Sequence, residues 1–400
     1  MAFRIPGGNH RIIEIIANPL KSVPPPINAA RVLAKNSFNV LIIAYLDTDC
    51  KRIEKISDGA WILRINLISR GIKIQSLRRI SATIEFICRA MVIINRYRPS
   101  WVILFNEIGS LFNQLIRNEN IKKISWFLEY PESYTKSFGE KLIQQFSFIA
   151  SGKANCLIFP TQVRKAMAFV RQPSLMSRKS YVIHNVPCLA EEVSRNKTAY
   201  SGSYGEAMSF LKEDPGAIHI IYAGAVGNRY GWDSLIKAIC LIQKNIRLLI
   251  LGVKHPLGLK EFNHAILNCG KTSYIKWLDP VPYNELESLL QLADMGYVIY
   301  RGDNLNTYFS APGKLYEYLK SGLVLLTDTD CCIADDLTWK KAGVFIRRPF
   351  DYTGILTALS EIEKDDLNVM KLNSRELFET KYNMEIQSAR LVQWMKEYDT

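Results

Sequence analysis

The sequence predicts an α/β protein of two domains, each a doubly wound parallel sheet with helices on both faces. Three observations support this fold class. Apolar runs of strand length alternate with amphipathic segments of helix length along most of the chain. A polar stretch from Pro187 to Gly216 divides this alternation into two series. Four hundred residues also exceed what one hydrophobic core usually holds.

The first series begins at the amino terminus and alternates strand and helix patterns. Pro24-Pro25-Pro26 breaks the chain before a helix that carries Arg31, and residues 80–96 form a long amphipathic stretch. The predicted strands of this series are residues 12–17, 40–44, 60–65, 101–105, 123–128, 156–159 and 181–184.

The second series follows the polar linker, which itself contains a short helical pattern. Its predicted strands are residues 218–222, 247–251, 275–278, 295–300, 323–327 and 343–346. A closing helix at 385–398 is predicted to return to the first domain. The predicted domains are therefore residues 1–190 with 385–400, and residues 191–384. Ligands of doubly wound sheets bind beyond the carboxyl ends of the strands, so a cleft between the domains is the expected site.

Composition and cysteine use favour a cytoplasmic globular protein. No apolar run reaches the length of a membrane span, and the start MAFRIPGGNHR lacks the apolar centre of a signal peptide. The eight cysteines are scattered without Cys-x-x-Cys spacing, which is consistent with a reducing compartment.

Net charge is concentrated in the first half of the chain. Residues 1–190 hold 27 Lys or Arg against 11 Asp or Glu, whereas the remainder is nearly neutral. Such a basic domain favours an anionic partner, either a membrane surface or a phosphorylated substrate. Nucleic acid is not expected, because the basic residues are dispersed and no nucleic-acid motif with interleaved aromatics occurs. A solvated basic face without a partner is the alternative.

The segment SAPGKLYEYLKSGLVLL, from Ser310 to Leu326, is the most informative motif. A helix that begins near Gly313 would offer unpaired N–H groups and the positive end of its dipole to a diphosphate. Lys314 would add a positive charge, and Glu317 could accept hydrogen bonds from ribose hydroxyls. The alternative is an ordinary capped helix, with its leucines in the core and these two charged residues solvated.

Several segments of the second series resemble, in order, the carboxyl domain of GT-B glycosyltransferases of family 4. They are IIYAGAVGNRYGWDSLIKAI, LLILGVKH, WLDPVPYNELESLLQLADMGYVIY and SAPGKLYEYLKSGLVLL, the last resembling the helix with the second glutamate of an E-x7-E motif. In the first half RYRPSWVILFN, KISWFLEYPESY, CLIFPT and YVIHNVP resemble the successive strand ends and the hinge. The resemblance implies a GT-B architecture, in which two Rossmann-like domains face a cleft and a carboxyl-terminal helix crosses back to the first domain.

The resemblance implies a donor site in the second domain. Glu317 would bind the ribose of a nucleotide sugar, and the backbone around Ala311 and Gly313 would hold phosphate together with Lys314. Gly224 would open the loop that faces the diphosphate. The loops at Gly252 to Lys254 and at Asp279 to Val281 would contact the base.

The sequence also departs from the family pattern. Phe309 occupies the position of the first glutamate of the E-x7-E motif. Ala225 and Tyr230 stand where the family often has Arg and Lys, which leaves Arg229 as the substitute phosphate ligand. The glycine-rich loop after the first strand is replaced by Ser22 to Pro26.

Glu129 and Glu132 are the candidate catalytic residues. The strand at 123–128 should point its carboxyl end at the cleft, and Glu129 follows it directly, where family members often present His, Asp or Glu. A carboxylate there could orient an acceptor hydroxyl or stabilise positive charge on the sugar. The alternative is a helix-capping glutamate beside Pro131.

The sequence predicts that no metal ion and no other cofactor is needed. Asp47-Thr48-Asp49 and Asp328-Thr329-Asp330 both imitate the DxD motif of another glycosyltransferase fold, and the recurrence shows how easily the pattern arises. The helix dipole, Arg229 and Lys314 could offset the charge of the leaving diphosphate instead.

The resemblance, together with the motif around Lys314 and Glu317, implies a retaining glycosyltransferase that moves a sugar from a nucleotide-diphosphate donor to an acceptor hydroxyl. The expected acceptor is a lipid-linked or polysaccharide glycan of the cell surface. The expected location is the cytoplasm, with peripheral attachment to the inner face of the plasma membrane. Two alternatives remain: a nucleotide-sugar epimerase of the same fold, and an inactive relative that binds a glycan or a nucleotide.

Overall fold

The computed structural model describes all residues except 1–10, 21–22, 49, 72, 130–137, 191–201, 226–229, 255, 268, 301, 303, 348–350 and 400. The chain forms two compact units. Unit 1 comprises Met1–Ala190 together with Met384–Thr400, and unit 2 comprises Glu191–Asn383. Secondary-structure elements are labelled in chain order through both units.

Unit 1 is built on an eight-stranded sheet in the order β3-β4-β2-β1-β5-β6-β7-β8. Its strands are β1 Arg11–Ile15, β2 Asn39–Tyr45, β3 Ile53–Ser57, β4 Ala60–Ile65, β5 Trp101–Phe105, β6 Lys122–Trp126, β7 Cys156–Phe159 and β8 Lys179–Val182. Its helices are α1 Pro24–Lys35, α2 Gln75–Tyr97, α3 Asn106–Leu115, α4 Phe138–Ser151, α5 Gln162–Arg171 and, at the carboxyl terminus, α15 Met384–Asp399. All neighbouring strands pair in parallel except β3, which pairs antiparallel with β4.

Unit 2 is built on a six-stranded parallel sheet in the order β11-β10-β9-β12-β13-β14. Its strands are β9 Ile218–Ala223, β10 Ile246–Leu251, β11 Ile275–Leu278, β12 Met295–Val298, β13 Val324–Asp328 and β14 Gly343–Ile346. Its helices are α6 Gly202–Lys212, α7 Trp232–Leu241, α8 Pro256–Ile266, α9 Tyr283–Leu290, α10 Leu305–Tyr308, α11 Gly313–Lys320, α12 Ala334–Trp339, α13 Tyr352–Ser360 and α14 Lys364–Thr380.

Each sheet places an apolar core against its helices. In unit 1, Ile13 and Ile15 of β1 pack in one cluster with Phe86 and Ile94 of α2. In unit 2, apolar side chains of β9 and β10 pack with Trp232 of α7 and with residues of α13. The two doubly wound α/β sheets that the sequence predicts are therefore confirmed.

The carboxyl-terminal helix α15 packs on unit 1, as the sequence predicted. The Nζ atom of Lys35 on α1 lies 3.3 Å from a carboxylate oxygen of Glu385. The ring of Trp394 meets that of Trp101 edge to face at 5.1 Å. An aromatic anchor and an ion pair thus attach this helix to the sheet and to α1.

Three features of the fold are not evident in the sequence. The edge strand β3 was not predicted, because polar residues interrupt any apolar run in its sequence IEKIS, which is largely exposed. Cys240 and Cys269 form a disulfide, although the cysteine spacing gave no indication of one. Glu14 lies fully buried in the central strand β1, and neither carboxylate oxygen has a hydrogen-bond partner among the described residues.

Among the described residues, no helix combines the length and the apolar character needed to cross a bilayer.

Candidate functional site

The helix α11, which the motif predicted, forms in unit 2 with Lys314 and Glu317 on one side. Leu315, Tyr316, Tyr318 and Leu319 are buried, whereas Lys314 and Glu317 are only partly buried. The three-residue spacing of this charged pair places both on the same face of the helix. The helix stops at Lys320, and Gly322, which follows the C-cap residue Ser321, adopts a positive φ of 75° that a glycine accommodates without strain.

Tyr318 fixes α11 to the end of the neighbouring strand β9. Its ring packs against the backbone of Gly296 so closely that a Cβ atom built there would lie 2.2 Å from the ring. Its hydroxyl oxygen accepts a hydrogen bond from the backbone N–H of Ala223 at 2.9 Å. The start of the loop at Gly224 therefore has a defined position relative to α11.

Lys314 and Gly224 meet at the carboxyl end of β9. A Cβ atom built on Gly224 would lie 3.0 Å from the Nζ atom of Lys314, and Gly224 has a φ of 142° that other residues rarely adopt. The Lys314 ammonium also lies over three aromatic rings, those of Tyr222, Tyr230 and Tyr300, at 4.2, 5.5 and 5.9 Å from their centroids. We call these three tyrosines with Lys314 and Gly224 the lysine cradle.

The lysine cradle stabilises the cation only in part. Burial lowers the pKa of Lys314 from 10.5 to about 7. Cation–π contacts attract the charge, but within the described part of the chain no carboxylate pairs with this ammonium group. An anionic ligand would supply the missing negative charge and restore the protonated form.

Glu317 lies one turn along α11 from Lys314. Its carboxylate accepts a hydrogen bond of 2.5 Å from the hydroxyl of Tyr283, the first residue of α9. This contact holds the carboxylate in place while leaving it partly exposed. A carboxylate so oriented can accept further hydrogen bonds from neighbouring hydroxyl groups.

The predicted base-contacting residues lie after β10 and β11. Gly252 is buried, and both of its backbone polar groups are already bonded: its N–H donates to the Leu278 carbonyl at 3.0 Å, and its carbonyl accepts from the Trp277 indole at 2.8 Å. Lys254 is exposed, and Val281 is partly buried. The backbone of Gly252 therefore shapes the loop, while Lys254 and Val281 present accessible side chains.

The remaining predicted donor residues differ in accessibility. Ala225 is exposed, and its carbonyl accepts a hydrogen bond from the Tyr222 hydroxyl. Ala311 is buried just before α11, and Gly313 is the first residue of that helix. Arg229 lies outside the described residues.

The candidate catalytic residue Glu129 belongs to unit 1. It is exposed and comes shortly after β6, whose end is fixed because the Leu128 carbonyl accepts a hydrogen bond of 3.0 Å from the buried Arg164. The Leu128 N–H in turn donates to the Asn106 side chain at 3.0 Å. Glu129 thus directly follows a residue whose backbone is held by two hydrogen bonds. Glu132 lies outside the described residues.

Sequence reasoning missed the tyrosines of this site. Tyr230 was interpreted only as the loss of a family lysine, yet its ring faces the Lys314 ammonium. Tyr222, Tyr283 and Tyr300 were not singled out. Their only sequence signal is position, since each lies at or beyond the carboxyl end of a predicted strand.

Among the residues that the structure describes, no group of three or more His, Cys, Asp or Glu side chains could hold a metal ion. Asp328 of the second DxD-like sequence is the last residue of β13, and its carboxylate accepts a hydrogen bond from the backbone N–H of Asp330 in the turn that follows.

Solved structures share the fold of this chain over nearly its whole length. Sucrose-phosphate synthase from Thermosynechococcus elongatus matches with a TM-score of 0.74 and 13% identity, covering 98% of this chain and 99% of that one. HepE from Anabaena, solved in complex with UDP and glucose, matches with a TM-score of 0.69 and 10% identity, covering 97% and 100%. WaaG, a glycosyltransferase involved in lipopolysaccharide biosynthesis, matches with a TM-score of 0.63 and 13% identity, covering 96% and 99%.

No family model and no curated protein matches the sequence. The structural likeness, at these identities, bears on the fold, and it agrees with the two parallel sheets described above. The chain therefore has the GT-B fold that the sequence predicted.

Proposed function

We propose that this chain is a glycosyltransferase that uses a nucleotide-diphosphate sugar as its donor. The lysine cradle carries the proposal: a partly buried ammonium, without a carboxylate partner among the described residues, lies beside a glycine at the end of a central strand. In a GT-B fold this edge of the sheet is the position for a ligand. Among proteins of this fold, HepE was solved in complex with UDP-glucose, and WaaG is a glycosyltransferase involved in lipopolysaccharide biosynthesis.

The donor diphosphate binds at the amino terminus of α11 and at Lys314. The first N–H groups of the helix point at the phosphate, and Gly224 leaves room for the phosphate beside the ammonium. Glu317, oriented by Tyr283, accepts hydrogen bonds from the ribose hydroxyls. Lys254 and Val281 border the base, and Arg229 is a further phosphate ligand.

Transfer proceeds with retention of configuration in this proposal. The bond between the anomeric carbon and the diphosphate oxygen breaks, a bond to the acceptor oxygen forms on the same face, and the acceptor proton passes to the leaving diphosphate. Lys314 and the helix dipole stabilise the negative charge that develops on the leaving group. Glu129, with Glu132, orients the acceptor hydroxyl, and no metal ion takes part.

The proposed acceptor is a lipid-linked or polysaccharide glycan, and the proposed location is the cytoplasmic side of an anionic membrane. The charge of the first 190 residues supports this placement, because an anionic surface attracts a basic domain. From the sequence resemblance of its second half we also propose that the chain is a hexosyltransferase-like enzyme of family 4.

A thermal-shift screen with UDP, GDP, ADP and their common sugar conjugates tests the donor site. UDP is the first choice because HepE was solved with it. One nucleotide should raise the unfolding midpoint of the wild type but not of Glu317→Ala, since ligand binding stabilises only the binding-competent fold. Glu361→Ala, an exposed carboxylate just after α13, is the control and should respond like the wild type.

An inactive binding relative is the second candidate, because Phe309 replaces a glutamate that family members use at the transferred sugar. Incubation of the purified chain with the nucleotide sugar that it binds separates the two. Slow release of free sugar that disappears in Lys314→Met would indicate a transferase. Tight binding without any turnover, even with acceptor glycans added, would favour the binding relative.

A further inference from the structure

The long helix α2 of unit 1 carries apolar side chains on its outer face as well as on its inner face. Phe86, Ala90 and Ile94 are buried in the core. The outer face carries five apolar residues that are each between 50% and 66% exposed: Ile74 at its amino cap, Leu77, Ile80, Ile84 and Val92. Their three-, four- and eight-residue spacing places them in one line, which we call the α2 stripe.

A sixth exposed apolar residue is held beside this stripe. Ile68, which is 76% exposed, belongs to the short helical turn Ile68–Gly71 before α2. Its backbone N–H and that of Ser69 donate hydrogen bonds of 3.1 and 2.9 Å to the carboxylate of Glu85. Glu85 follows Ile84 directly, so this clamp keeps Ile68 next to the middle of the stripe.

The stripe is bordered by positive charge. Arg78, Arg89 and Arg96 recur at intervals of eleven and seven residues, so they lie along one side of the stripe. The helix contains a single acidic residue, Glu85, which also forms an ion pair of 2.8 Å with Arg89. The face is therefore both apolar and cationic.

We propose that the α2 stripe and its arginine border form a docking surface for an anionic phospholipid bilayer. Exposed isoleucine, leucine and valine side chains in a row lose unfavourable contact with water when they enter the interfacial layer of a membrane, and arginines beside them pair with lipid phosphates. The helix would lie parallel to the surface, and the stripe from Ile74 to Val92 would extend along it for about 27 Å.

Charge complementarity selects the bilayer over a second copy of the chain. Two such faces in contact would oppose their arginine borders, and like charges repel. An anionic lipid surface offers the opposite sign, with about a fivefold gain in binding for each basic residue near the surface. The inference rests on the proposed membrane location of the transferase, but it concerns surface binding and not sugar transfer.

Co-sedimentation of the full chain with lipid vesicles tests this surface. The wild type should bind phosphatidylcholine vesicles that contain phosphatidylglycerol, but not vesicles of phosphatidylcholine alone. The double variant I80S/I84S should bind the anionic vesicles about tenfold more weakly or worse, because it removes apolar area from the stripe. The control Val170→Ser changes a valine on α5 that is 83% exposed, and its binding should equal that of the wild type.

Three results would overturn the proposal. One is absence of wild-type binding to anionic vesicles, and another is equal binding by I80S/I84S, which would indicate general attraction to the basic domain. The third is a result in which neither protein binds vesicles, but light scattering shows that the wild type self-associates and that I80S/I84S does not. The α2 stripe would then bind a second copy of the chain instead of a bilayer. A nucleotide thermal shift on the same samples separates this inference from the donor site, since either one can fail while the other holds.

Discussion

The ammonium group of Lys314 lies 4.2 Å from the centre of the Tyr222 ring and close to the backbone of Gly224. Aromatic rings offer a cation less stabilisation than water or a carboxylate does, which is why burial lowers the pKa of this lysine to about 7. The free protein therefore holds a positive charge in a place where it is only marginally stable. A phosphate group would correct this imbalance.

Lys314→Met should stabilise the free protein. The lysine has a lower pKa in the folded chain than in the unfolded chain, so its charge opposes folding below the unfolded pKa, most strongly below pH 7. Methionine keeps the apolar stem without the charge. At pH 6.5 the unfolding midpoint should rise by about 2–4 °C, corresponding to about 1 kcal/mol. A lower midpoint would show that the ammonium group has a partner that stabilises it.

Donor binding should weaken as the pH rises above 7. The bound phosphate holds Lys314 protonated, so above its free pKa the protein must take up a proton in order to bind. The dissociation constant should be flat below pH 7 and should rise by up to about tenfold per pH unit above it, until the pKa of the bound state is reached. Calorimetric titrations between pH 6 and 9 measure this. The same profile in Lys314→Met would assign the effect to another group.

Gly224→Ala should damage the donor site more than the fold. A Cβ atom at this position would lie 3.0 Å from the Lys314 ammonium, and the φ of 142° would be strained for alanine. We expect a loss of stability of about 1–2 kcal/mol and a donor dissociation constant about tenfold higher or more. Gly205→Ala in α6 is the control, because open space surrounds that glycine and alanine favours a helix. Equal donor affinity in Gly224→Ala and Gly205→Ala would show that donor binding does not depend on the close contact between Gly224 and the phosphate.

Glu14→Leu should stabilise unit 1 at neutral and alkaline pH. Burial raises the pKa of Glu14 well above its usual value, so the folded state favours the protonated acid. The contribution of Glu14 to the free energy of unfolding is fully present below its pKa in the unfolded chain. It is lost as the pH rises through its pKa in the folded chain. Urea unfolding at pH 8 should show a gain of about 1–3 kcal/mol for the leucine variant, and the gain should shrink at pH 5. A destabilised variant at both pH values would indicate that the carboxyl group has a structural partner.

Most of the fold follows from short-range sequence patterns. The strands Trp101–Phe105 and Ile275–Leu278 were predicted with correct bounds, because a buried parallel strand is a continuous apolar run between helical patterns. The edge strand β3 was missed, since an exposed edge needs no apolar residues. The disulfide between Cys240 and Cys269 was missed because separation in sequence does not reveal proximity in space.

Only the part of the candidate site that lies within a single helix could be predicted from the sequence. Lys314 and Glu317 share one helix, so their common face follows from helical spacing. Gly224 and Tyr230, between β9 and α7, and Tyr300, after β12, reach Lys314 from two other segments, which only the order of strands in the sheet brings together. The contact of Tyr283 with Glu317 likewise joins α9 to α11, and no local pattern indicates it.

Calorimetric titration of the purified chain with UDP, GDP and ADP at pH 7 tests the central claim, that the lysine cradle binds a nucleotide diphosphate. Lys314→Met is the test variant, and Lys340→Met is its control. Lys340 lies outside the lysine cradle and forms an ion pair with Glu376. We predict that one nucleotide binds the wild type and Lys340→Met equally and binds Lys314→Met at least about tenfold more weakly. Equal binding by all three proteins, or binding of none of the nucleotides to the wild type, would contradict the claim.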